Sequence, residues 1–236
     1  MRLQEKRLRQ AVQGKTVLIT GASSGIGRDV ALLLAHYEAN LILVGRNEER
    51  LRDVALKTGA QIYVMDLREK ENRQRLCQEI NQLDIFINNA GLSIHRSIYD
   101  SLERAHDFTR TMAINYFAPV ELMLHFIPLL DVAQGQIVNV STINTKFRPM
   151  AKWAAYQASK AAFDTWLRAV APEVKHIVST IYLPLVRTPM IASTKKYEYM
   201  PAMSSETAAK RIARLLYTKK KEDKPWWLLF LRFVRP

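Results

Sequence analysis

The sequence predicts an α/β fold in which one doubly wound parallel sheet carries helices on both faces. From residue 16 onward, short apolar runs alternate with longer segments whose apolar residues recur at helical spacing. Strands that are apolar throughout are typical of a parallel sheet buried on both faces. The 236 residues, 48% of them hydrophobic and 24% charged, suit a single domain of the larger α/β kind.

Six apolar runs of strand length are separated by polar segments. The first, Thr-Val-Leu-Ile-Thr, ends at a glycine, and the second, Asn-Leu-Ile-Leu-Val, is equally apolar. Runs of about four to eight such residues bounded by turn residues are typical of buried strands. The predicted strands are Thr16–Thr20, Asn40–Val44, Gln61–Met65, Asp84–Ile87, Gln136–Val140 and Ile177–Tyr182.

The segments between these strands have helical period. Right-handed crossovers through them would give a Rossmann-like sheet. Pro119 and Pro128 constrain the longest segment, and a Ser-x-x-Thr pattern marks the start of the last one. The predicted helices are Ile26–Tyr37, Glu48–Lys57, Arg68–Asn81, most of Leu102–Leu130, Trp153–Val170 and Ser205–Tyr217.

Positive charge is concentrated at the ends of the chain. The net charge of +13 divides into +4 for residues 1–15, +2 for residues 16–190 and +7 for residues 191–236. A fold that wraps a nucleic acid is expected to carry more charge on its body, so we expect no nucleic-acid partner. A single Cys and the lack of a hydrophobic leader favour a cytoplasmic location.

A glycine-rich turn lies between the first predicted strand and the first predicted helix. Gly21 permits a tight exit from the strand, Gly25 lets backbone amides approach a pyrophosphate, and Gly27 lets the helix pack closely. The free N–H groups of the helix N-terminus favour bound phosphates. We therefore predict a dinucleotide site formed by Gly21, Ser23, Ser24, Gly25, Ile26 and Gly27.

The second strand is followed by Gly45 and Arg46, 19 residues after Gly27. A cofactor with a free ribose 2′-hydroxyl usually meets an acidic residue in this region. An arginine instead suits a 2′-phosphate, which it can bind through two charge-assisted hydrogen bonds. The sequence therefore favours NADPH over NADH, and a solvated arginine on a loop is the alternative interpretation.

Two further strand ends fit the same site. Asp66 and Leu67 close the third strand, where a carboxylate could accept a hydrogen bond from the adenine amino group. Asn88, Ala90 and Gly91 follow the fourth strand, and small residues there would leave room for the ribose and nicotinamide. On its own, an asparagine-rich segment after a strand indicates only a turn.

Tyr156 and Lys160 lie one turn apart on one face of a predicted helix. A phenol with a pKa near 10 is a weak acid at neutral pH, but a nearby ammonium favours the phenolate and would lower this pKa. Tyr156 could then protonate a substrate oxygen as hydride arrives, while Lys160 holds the ribose hydroxyls. The alternative is an ordinary surface pair on a helix.

Taken together, these motifs resemble the short-chain dehydrogenase/reductase family. Thr20–Gly27, Asn88–Gly91, Asn115, Tyr156 and Lys160 occur in the family's order over nearly the whole chain. The resemblance implies an NAD(P)-dependent oxidoreductase. It also implies that Asn115 belongs to the active site, on a bent helix that holds a proton-relay water.

One position departs from the family pattern. The family places a serine seven residues after the glycine that precedes the fifth strand, and counting from Gly135 reaches Thr142. A threonine hydroxyl can donate and accept as a serine does, but its methyl group narrows the site. We expect Thr142 to orient the substrate carbonyl, with Ser141 as the alternative.

A closer resemblance is to bacterial fatty acyl-CoA reductases and their relatives, carried by Gly91–Arg96, His106–Met112 and Tyr182–Ala192. It implies a hydrophobic carbonyl substrate, either a long-chain aldehyde or an acyl thioester, and a Thr188 that bonds the nicotinamide carboxamide. The alternatives are an NAD(P)-linked dehydrogenase of a smaller alcohol or ketone, and a weakly catalytic, cofactor-binding interaction protein. Relatives of this kind commonly form homo-oligomers.

The predicted organisation is a basic segment at residues 1–15, a catalytic domain at 16–218 and a basic aromatic tail at 219–236. Trp226–Phe230 could be a seventh strand or an oligomer contact. The tail could also contact a membrane surface, with aromatic side chains at the headgroups and basic ones on anionic lipid, aided by the basic N-terminal segment.

We expect no metal site. The histidines lack the spacing of metal ligands, and the single cysteine lies in a polar predicted helix. These residues are His36, His95, His106, His125, His176 and Cys77.

Overall fold

A seven-stranded parallel sheet forms the centre of the computed structural model, which describes residues 3–192, 197 and 199–227. The sheet order is β3-β2-β1-β4-β5-β6-β9, and β7 pairs with β8 in a separate parallel ribbon. The α/β fold and all six strands expected from the apolar runs are confirmed. The strands are β1 (Thr16–Thr20), β2 (Asn40–Gly45), β3 (Gln61–Val64), β4 (Ile85–Asn88), β5 (Gln136–Thr142), β6 (Ile177–Leu183), β7 (Val186–Arg187), β8 (Met203–Ser204) and β9 (Glu222–Asp223).

Helices cover both faces of this sheet. Alternation along β1 sends Val17 and Ile19 into one core, with α1, α2, α3 and α9, and Leu18 into the other, with α4, α6 and α7. The helices are α1 (Glu5–Val12), α2 (Gly25–Ala35), α3 (Glu48–Thr58), α4 (Lys70–Glu79), α5 (Ala105–Met112), α6 (Ala118–Val132), α7 (Ala154–Val170), α8 (Pro189–Ala192) and α9 (Ser205–Thr218).

The sheet order places a crevice between β1 and β4. From β1 the chain crosses to β2 and β3 on one side, and then returns to β4 on the other side. Ligands of open α/β sheets bind at the carboxyl ends of the strands where the order reverses in this way. The glycine turn after β1 and the asparagines at the end of β4 meet at this point.

The seventh strand differs from the expected one. It is the short polar pair Glu222–Asp223, which lies beside Thr180 and Ile181 of β6. Trp226 and Trp227 lie beyond it in a helical turn, so the expectation of a strand at Trp226–Phe230 is wrong for these two residues. The other three lie outside the described residues. A two-residue polar strand has no apolar run, so hydrophobic periodicity could not reveal it.

A helix also occupies the basic N-terminal segment, where the sequence analysis expected no element. Leu8 and Val12 of α1 are fully buried in the core that also contains α9. The Arg7 guanidinium donates to the Tyr217 backbone oxygen at 3.3 Å and lies 5.3 Å from the centre of the Tyr217 ring. These contacts fix α1 against the last helix of the domain.

The predicted helix around Pro119 and Pro128 continues through both prolines. A π-helical turn at Ala113–Phe117 joins α5 to α6, and Pro119 lies in the first turn of α6. Within the described part of the chain, Ala105–Val132 is one helical run that is long and apolar enough to cross a membrane. Its inner face is fully buried against the sheet at Met123, Phe126 and Leu130, which is typical of a core helix.

Candidate active site

A cavity of about 910 Å³ occupies the crevice at the carboxyl ends of the central strands. Most residues predicted from the sequence line it, although Gly27, Asn88 and Asn115 do not. The predicted residues on its walls are Gly21, Ser23, Ser24, Gly25, Ile26, Arg46, Asp66, Leu67, Ala90, Gly91, Thr142, Tyr156, Lys160 and Thr188.

The glycine turn adopts the conformation that its sequence requires. Gly21 and Gly25 have φ values of +68° and +53°, which residues with a side chain rarely adopt. A Cβ on Gly27 would lie 2.4 Å from the Gly21 carbonyl oxygen, so only glycine allows α2 this close to the strand end. The turn leaves backbone N–H groups at the start of α2 facing the cavity, which fits the pyrophosphate of a dinucleotide.

One end of the cavity is lined by three arginines. Arg46 is 63% exposed and lies 3.7 Å from the Asp66 carboxylate, and Arg50 and Arg68 line the same region. Of the three arginines, the sequence pattern indicated only Arg46. The position of Arg68, four residues beyond the end of β3 and two beyond Asp66, was a signal that could have been used.

The Asp66 carboxylate is already engaged within the protein. It accepts hydrogen bonds from the Arg68 side chain at 2.9 Å and from the Arg68 backbone at 3.0 Å. Burial acts to raise the pKa of Asp66, but the hydrogen bonds from Arg68 and the charge of Arg46 hold this pKa below its usual value. The structure therefore shows Asp66 orienting Arg68 at the cavity wall, and its contact with an adenine amino group stays a prediction.

The asparagines after β4 have different roles from those expected. The Asn88 side chain is buried and donates to Asn139, its partner on β5, at 3.1 Å, so the expectation that it lines the cofactor cavity is wrong. Asn89 lines the cavity instead and donates to the Thr20 backbone oxygen at 3.0 Å. The Asn89 and Ala90 backbone amides donate to the Thr20 hydroxyl at 3.1 Å. These bonds hold the segment after β4 against the end of β1, beside the glycine turn.

Tyr156 and Lys160 lie on the first turns of α7 and both face the cavity. Burial raises the pKa of Tyr156 to about 12, while a side-chain hydrogen bond with Thr142 acts in the opposite direction. Burial also lowers the pKa of Lys160 to about 8, and its Nζ donates to the Val140 carbonyl oxygen at 3.3 Å. The expected lowering of the phenol pKa is therefore not seen in the protein alone, because desolvation dominates.

Both candidate hydroxyls at the end of β5 border the cavity. Thr142 is hydrogen-bonded to Tyr156, and its Oγ1 accepts from the Asn144 backbone at 3.3 Å. Ser141 is 5% exposed, and its Oγ finds no hydrogen-bond partner among the described residues. Of the two, Thr142 is the one in contact with the tyrosine.

Asn115 lies in the π-helical turn directly behind the cavity wall. Its side chain donates to the Leu92 carbonyl oxygen at 2.8 Å and to the Ser159 hydroxyl at 2.9 Å, and it accepts from the Leu92 amide at 2.9 Å. A Cβ on Gly91 would lie 3.1 Å from Asn115 Oδ1 and 3.5 Å from Lys160 Nζ. Gly91 therefore brings the amide and the amine to the same point of the wall.

Thr188 lies between β7 and α8, over the glycine turn. A Cβ on Gly25 would approach the Thr188 methyl group to 2.9 Å, so the two segments are in close contact. Thr188 thus lines the cavity beside the glycine turn, on the sequence segment after β6.

An aromatic wall completes the cavity, and the sequence analysis did not identify it. The Trp153 ring is nearly buried, and its centre lies 4.8 Å from that of His95, 5.8 Å from that of Tyr156 and 5.9 Å from that of Tyr197. Trp153 immediately precedes α7, so its place beside Tyr156 follows from the helix start. The Trp153 ring thus gives the cavity an aromatic surface directly beside Tyr156.

Within the described ranges, no group of three or more His, Cys, Asp or Glu side chains is arranged to hold a metal ion. Burial raises the pKa of the Cys77 thiol to about 11, so this thiol is not activated as a nucleophile.

Comparison with known proteins agrees with this geometry. The family model for short chain dehydrogenase matches residues 15–198. A fatty acyl-CoA reductase of Acinetobacter baylyi is 43% identical over 230 residues, which cover 92% of this chain and 78% of that protein. An uncharacterized oxidoreductase of Mycobacterium tuberculosis is 39% identical over 88% of this chain, and the match covers 65% of its own length.

A solved structure of a short chain dehydrogenase from Shigella flexneri, complexed with NADP, has the same fold. It is 29% identical, with a TM-score of 0.80 over 91% of this chain and 96% of that one. The chain described here belongs to the short-chain dehydrogenase family and is an NAD(P)-dependent oxidoreductase.

Proposed function

We propose that this chain uses NADPH to reduce a hydrophobic carbonyl compound, either a long-chain aldehyde or an acyl thioester. The observation that carries the proposal is the contact between the Tyr156 hydroxyl and Thr142 beside the Trp153 wall. A protonated hydroxyl and an oxygen-orienting side chain thus lie next to a surface for an apolar substrate. The name of the Acinetobacter baylyi relative, a fatty acyl-CoA reductase, supports the same substrate class.

The residues present fit a dinucleotide. The glycine turn and the start of α2 would hold the pyrophosphate, Lys160 the ribose hydroxyls and Thr188 the nicotinamide carboxamide. Arg46, with Arg50 and Arg68 beside it, would hold a 2′-phosphate, which supports NADPH over NADH. When bound, the nicotinamide supplies the hydride.

Tyr156 acts as the proton donor to the carbonyl oxygen. With a pKa of about 12 the phenol remains protonated at neutral pH, which suits the direction of reduction. Thr142 orients the carbonyl through its hydroxyl. Lys160 and Asn115 meet at Gly91 behind the tyrosine, where they support the return of the proton.

The test is NADPH oxidation with long-chain aldehydes, acyl-CoA thioesters and short ketones, using Tyr156→Phe as the control. We expect the variant to lose a factor of about 10² to 10⁴ in turnover and to keep its affinity for NADPH, since phenylalanine preserves the ring packing. Turnover of short ketones alone would favour the dehydrogenase of smaller substrates. If no compound is turned over faster than by the variant, the chain is a cofactor-binding interaction protein and the proposal fails.

We further propose that the chain contacts anionic membrane surfaces through its C-terminal tail. Trp226 is 72% exposed and Trp227 is 37% exposed, and Lys220, Lys221 and Lys224 lie close by in the chain. Both tryptophans follow β9 at the carboxyl edge of the sheet, which is also the edge where the cavity opens. Aromatic side chains beside lysines favour the interface of an anionic bilayer.

A homo-oligomer is proposed as well. The helical run through α5 and α6 exposes large apolar side chains, including Phe117 at 51%, Leu124 at 61% and Val132 at 88%. A second copy would remove these side chains from water. Sedimentation velocity on the full chain is the measurement, and a sedimentation coefficient of a monomer at micromolar concentration would contradict the proposal.

A further inference from the structure

Three arginines converge on one buried carboxylate beside the cavity. Asp107, in the first turn of α5, is 1% exposed. Arg96 and Arg104 donate to Asp107 Oδ2 at 3.1 and 3.2 Å, and Arg110 donates to Oδ1 at 2.6 Å. We call Arg96, Arg104 and Arg110 the arginine triad.

The triad has more charge and more donors than its carboxylate can satisfy. Within the described part of the chain, each arginine reaches Asp107 through a single nitrogen, although a guanidinium carries five N–H donors. The three side chains are 35%, 41% and 44% exposed, so their remaining donors face outward. The nearby Asp100 carboxylate is engaged by the Ser97 hydroxyl. Asp107 therefore holds the guanidiniums together as a preformed set of outward donors.

The triad adjoins the cavity wall at Trp153 through Arg96, although its three arginines do not themselves line the cavity. The Arg96 amide donates to the Lys152 carbonyl oxygen at 2.9 Å, and Lys152 immediately precedes Trp153. His95, the residue before Arg96, has its ring against Trp153. A path of direct contacts therefore runs from Tyr156 through Trp153 and His95 to the first arginine of the triad.

We propose that the arginine triad binds the phosphate groups of an acyl-coenzyme A. A guanidinium can donate two parallel hydrogen bonds to two oxygens of one phosphate group. Three guanidiniums together can therefore bind more than one phosphate group. The neutral pantetheine arm would then run along the rim from the triad to Tyr156. This inference rests on the proposed function and narrows it, because a free aldehyde has no group for the triad to bind.

The test compares three substrates with the same acyl chain, namely the coenzyme A thioester, the pantetheine thioester and the free aldehyde. Arg104→Gln leaves two arginines on Asp107, so the fold is expected to persist. The matched control is Arg168→Gln, because Arg168 is also an exposed arginine paired with a buried carboxylate, Asp164. It lies three turns along α7 from Tyr156.

We expect Arg104→Gln to raise KM for the coenzyme A thioester about tenfold, with kcat and the pantetheine and aldehyde reactions within about twofold of wild type. The dephospho-coenzyme A thioester lacks the 3′-phosphate but keeps the diphosphate. Comparing its KM with that of the coenzyme A thioester shows which of the two groups the triad binds. Direct titration of coenzyme A into wild type and both variants gives a readout that does not depend on turnover.

Several results would overturn the proposal. If Arg104→Gln changed KM equally for the coenzyme A and pantetheine thioesters, the triad would have only a structural role. Unchanged binding of coenzyme A by this variant would lead to the same conclusion. The same acyl chain carried on an acidic protein is a fourth substrate, and a loss confined to it would assign the triad to protein docking. If wild type reduces the aldehyde but binds no coenzyme A, the triad proposal fails while the proposed reductase function stands. If no substrate is reduced, the proposed function fails, and coenzyme A titration still decides the role of the triad.

Discussion

Tyr156 and Lys160 are displaced from their ordinary pKa values in opposite directions by the same cause. Burial opposes charge on either group, so the phenol pKa rises to about 12 and the amine pKa falls to about 8. The amine therefore titrates near the working range of pH, while the phenol keeps its proton. In the protein alone, Lys160 is the pH-sensitive member of the pair.

The buried ammonium of Lys160 should destabilise the apoprotein at neutral pH. Between pH 8 and 10.5 the unfolded chain binds more protons at this lysine than the folded chain does. The free energy of unfolding therefore rises with pH through that window. We expect Lys160→Met to raise the melting temperature at pH 7, with an advantage that shrinks toward pH 10.5. Thermal unfolding at a series of pH values is the measurement. An advantage that does not change with pH would contradict the assignment.

Arg46 is expected to select the cofactor. Removing its guanidinium takes away a charge-assisted contact to the 2′-phosphate, which NADH lacks. We expect Arg46→Gln to raise KM for NADPH about tenfold and to leave KM for NADH within about twofold. Arg52→Gln is the control, because Arg52 is 64% exposed and pairs with Glu48 on the outside of α3. A parallel loss for both cofactors would show that Arg46 acts on the fold instead.

At the scale of elements, α1 is the least expected contributor to stability. Its Leu8 side chain is fully buried in the core shared with α9. We expect Leu8→Ala to lower the free energy of unfolding by about 2–4 kcal/mol, because it leaves a cavity in that core. Gln10→Ala, at an exposed position of the same helix, should change it by less than about 0.5 kcal/mol. Chemical denaturation of both variants is the measurement, and similar values would show that α1 is dispensable.

The elements that sequence reasoning found are those with a local signal. Thr16–Thr20 and its glycine turn combine an apolar run with a backbone requirement that only glycine meets, so both the strand and the site beside it were predictable. In α1 the apolar residues Leu8 and Val12 have helical spacing, but two such residues in a charged segment are a weak pattern. No local sequence pattern indicates a strand at Glu222–Asp223. This strand forms because the folded chain brings the two residues beside Thr180 and Ile181 of β6.

The same reasoning explains which site residues were missed. Gly21–Gly27 lie within one continuous segment, so their roles follow from order along the chain. The Trp153 wall depends on contacts with His95 and Tyr197, which are distant in sequence. Asn88 was predicted to line the cavity and Asn89 was not, because neighbouring residues at a strand end point in opposite directions and the exact end of the strand decides which one faces the site.

At the scale of the whole molecule, the two basic segments of the chain lie at different places on the fold. The basic N-terminal helix packs on α9, while Trp226 and Trp227 of the tail follow β9 at the carboxyl edge of the sheet. Trp227 stacks on Phe147, which ends the helical turn after Thr142, with ring centres 6.2 Å apart. The tail therefore lies beside the segment that carries the candidate substrate-orienting hydroxyl, and a membrane bound there would face the substrate opening.

This arrangement predicts binding to anionic vesicles that depends on the tail. Each lysine near an anionic surface contributes about 1 kcal/mol, so Lys220, Lys221 and the tryptophans together favour phosphatidylserine vesicles over phosphatidylcholine ones. We expect the full chain to co-sediment with the anionic vesicles, and less so at high salt. Ending the chain after Lys224 should abolish this while the melting temperature stays close to that of wild type. Lys220→Glu with Lys221→Glu should weaken binding and keep the tryptophans. Equal co-sedimentation of the full and shortened chains would show that the tail is not the membrane contact.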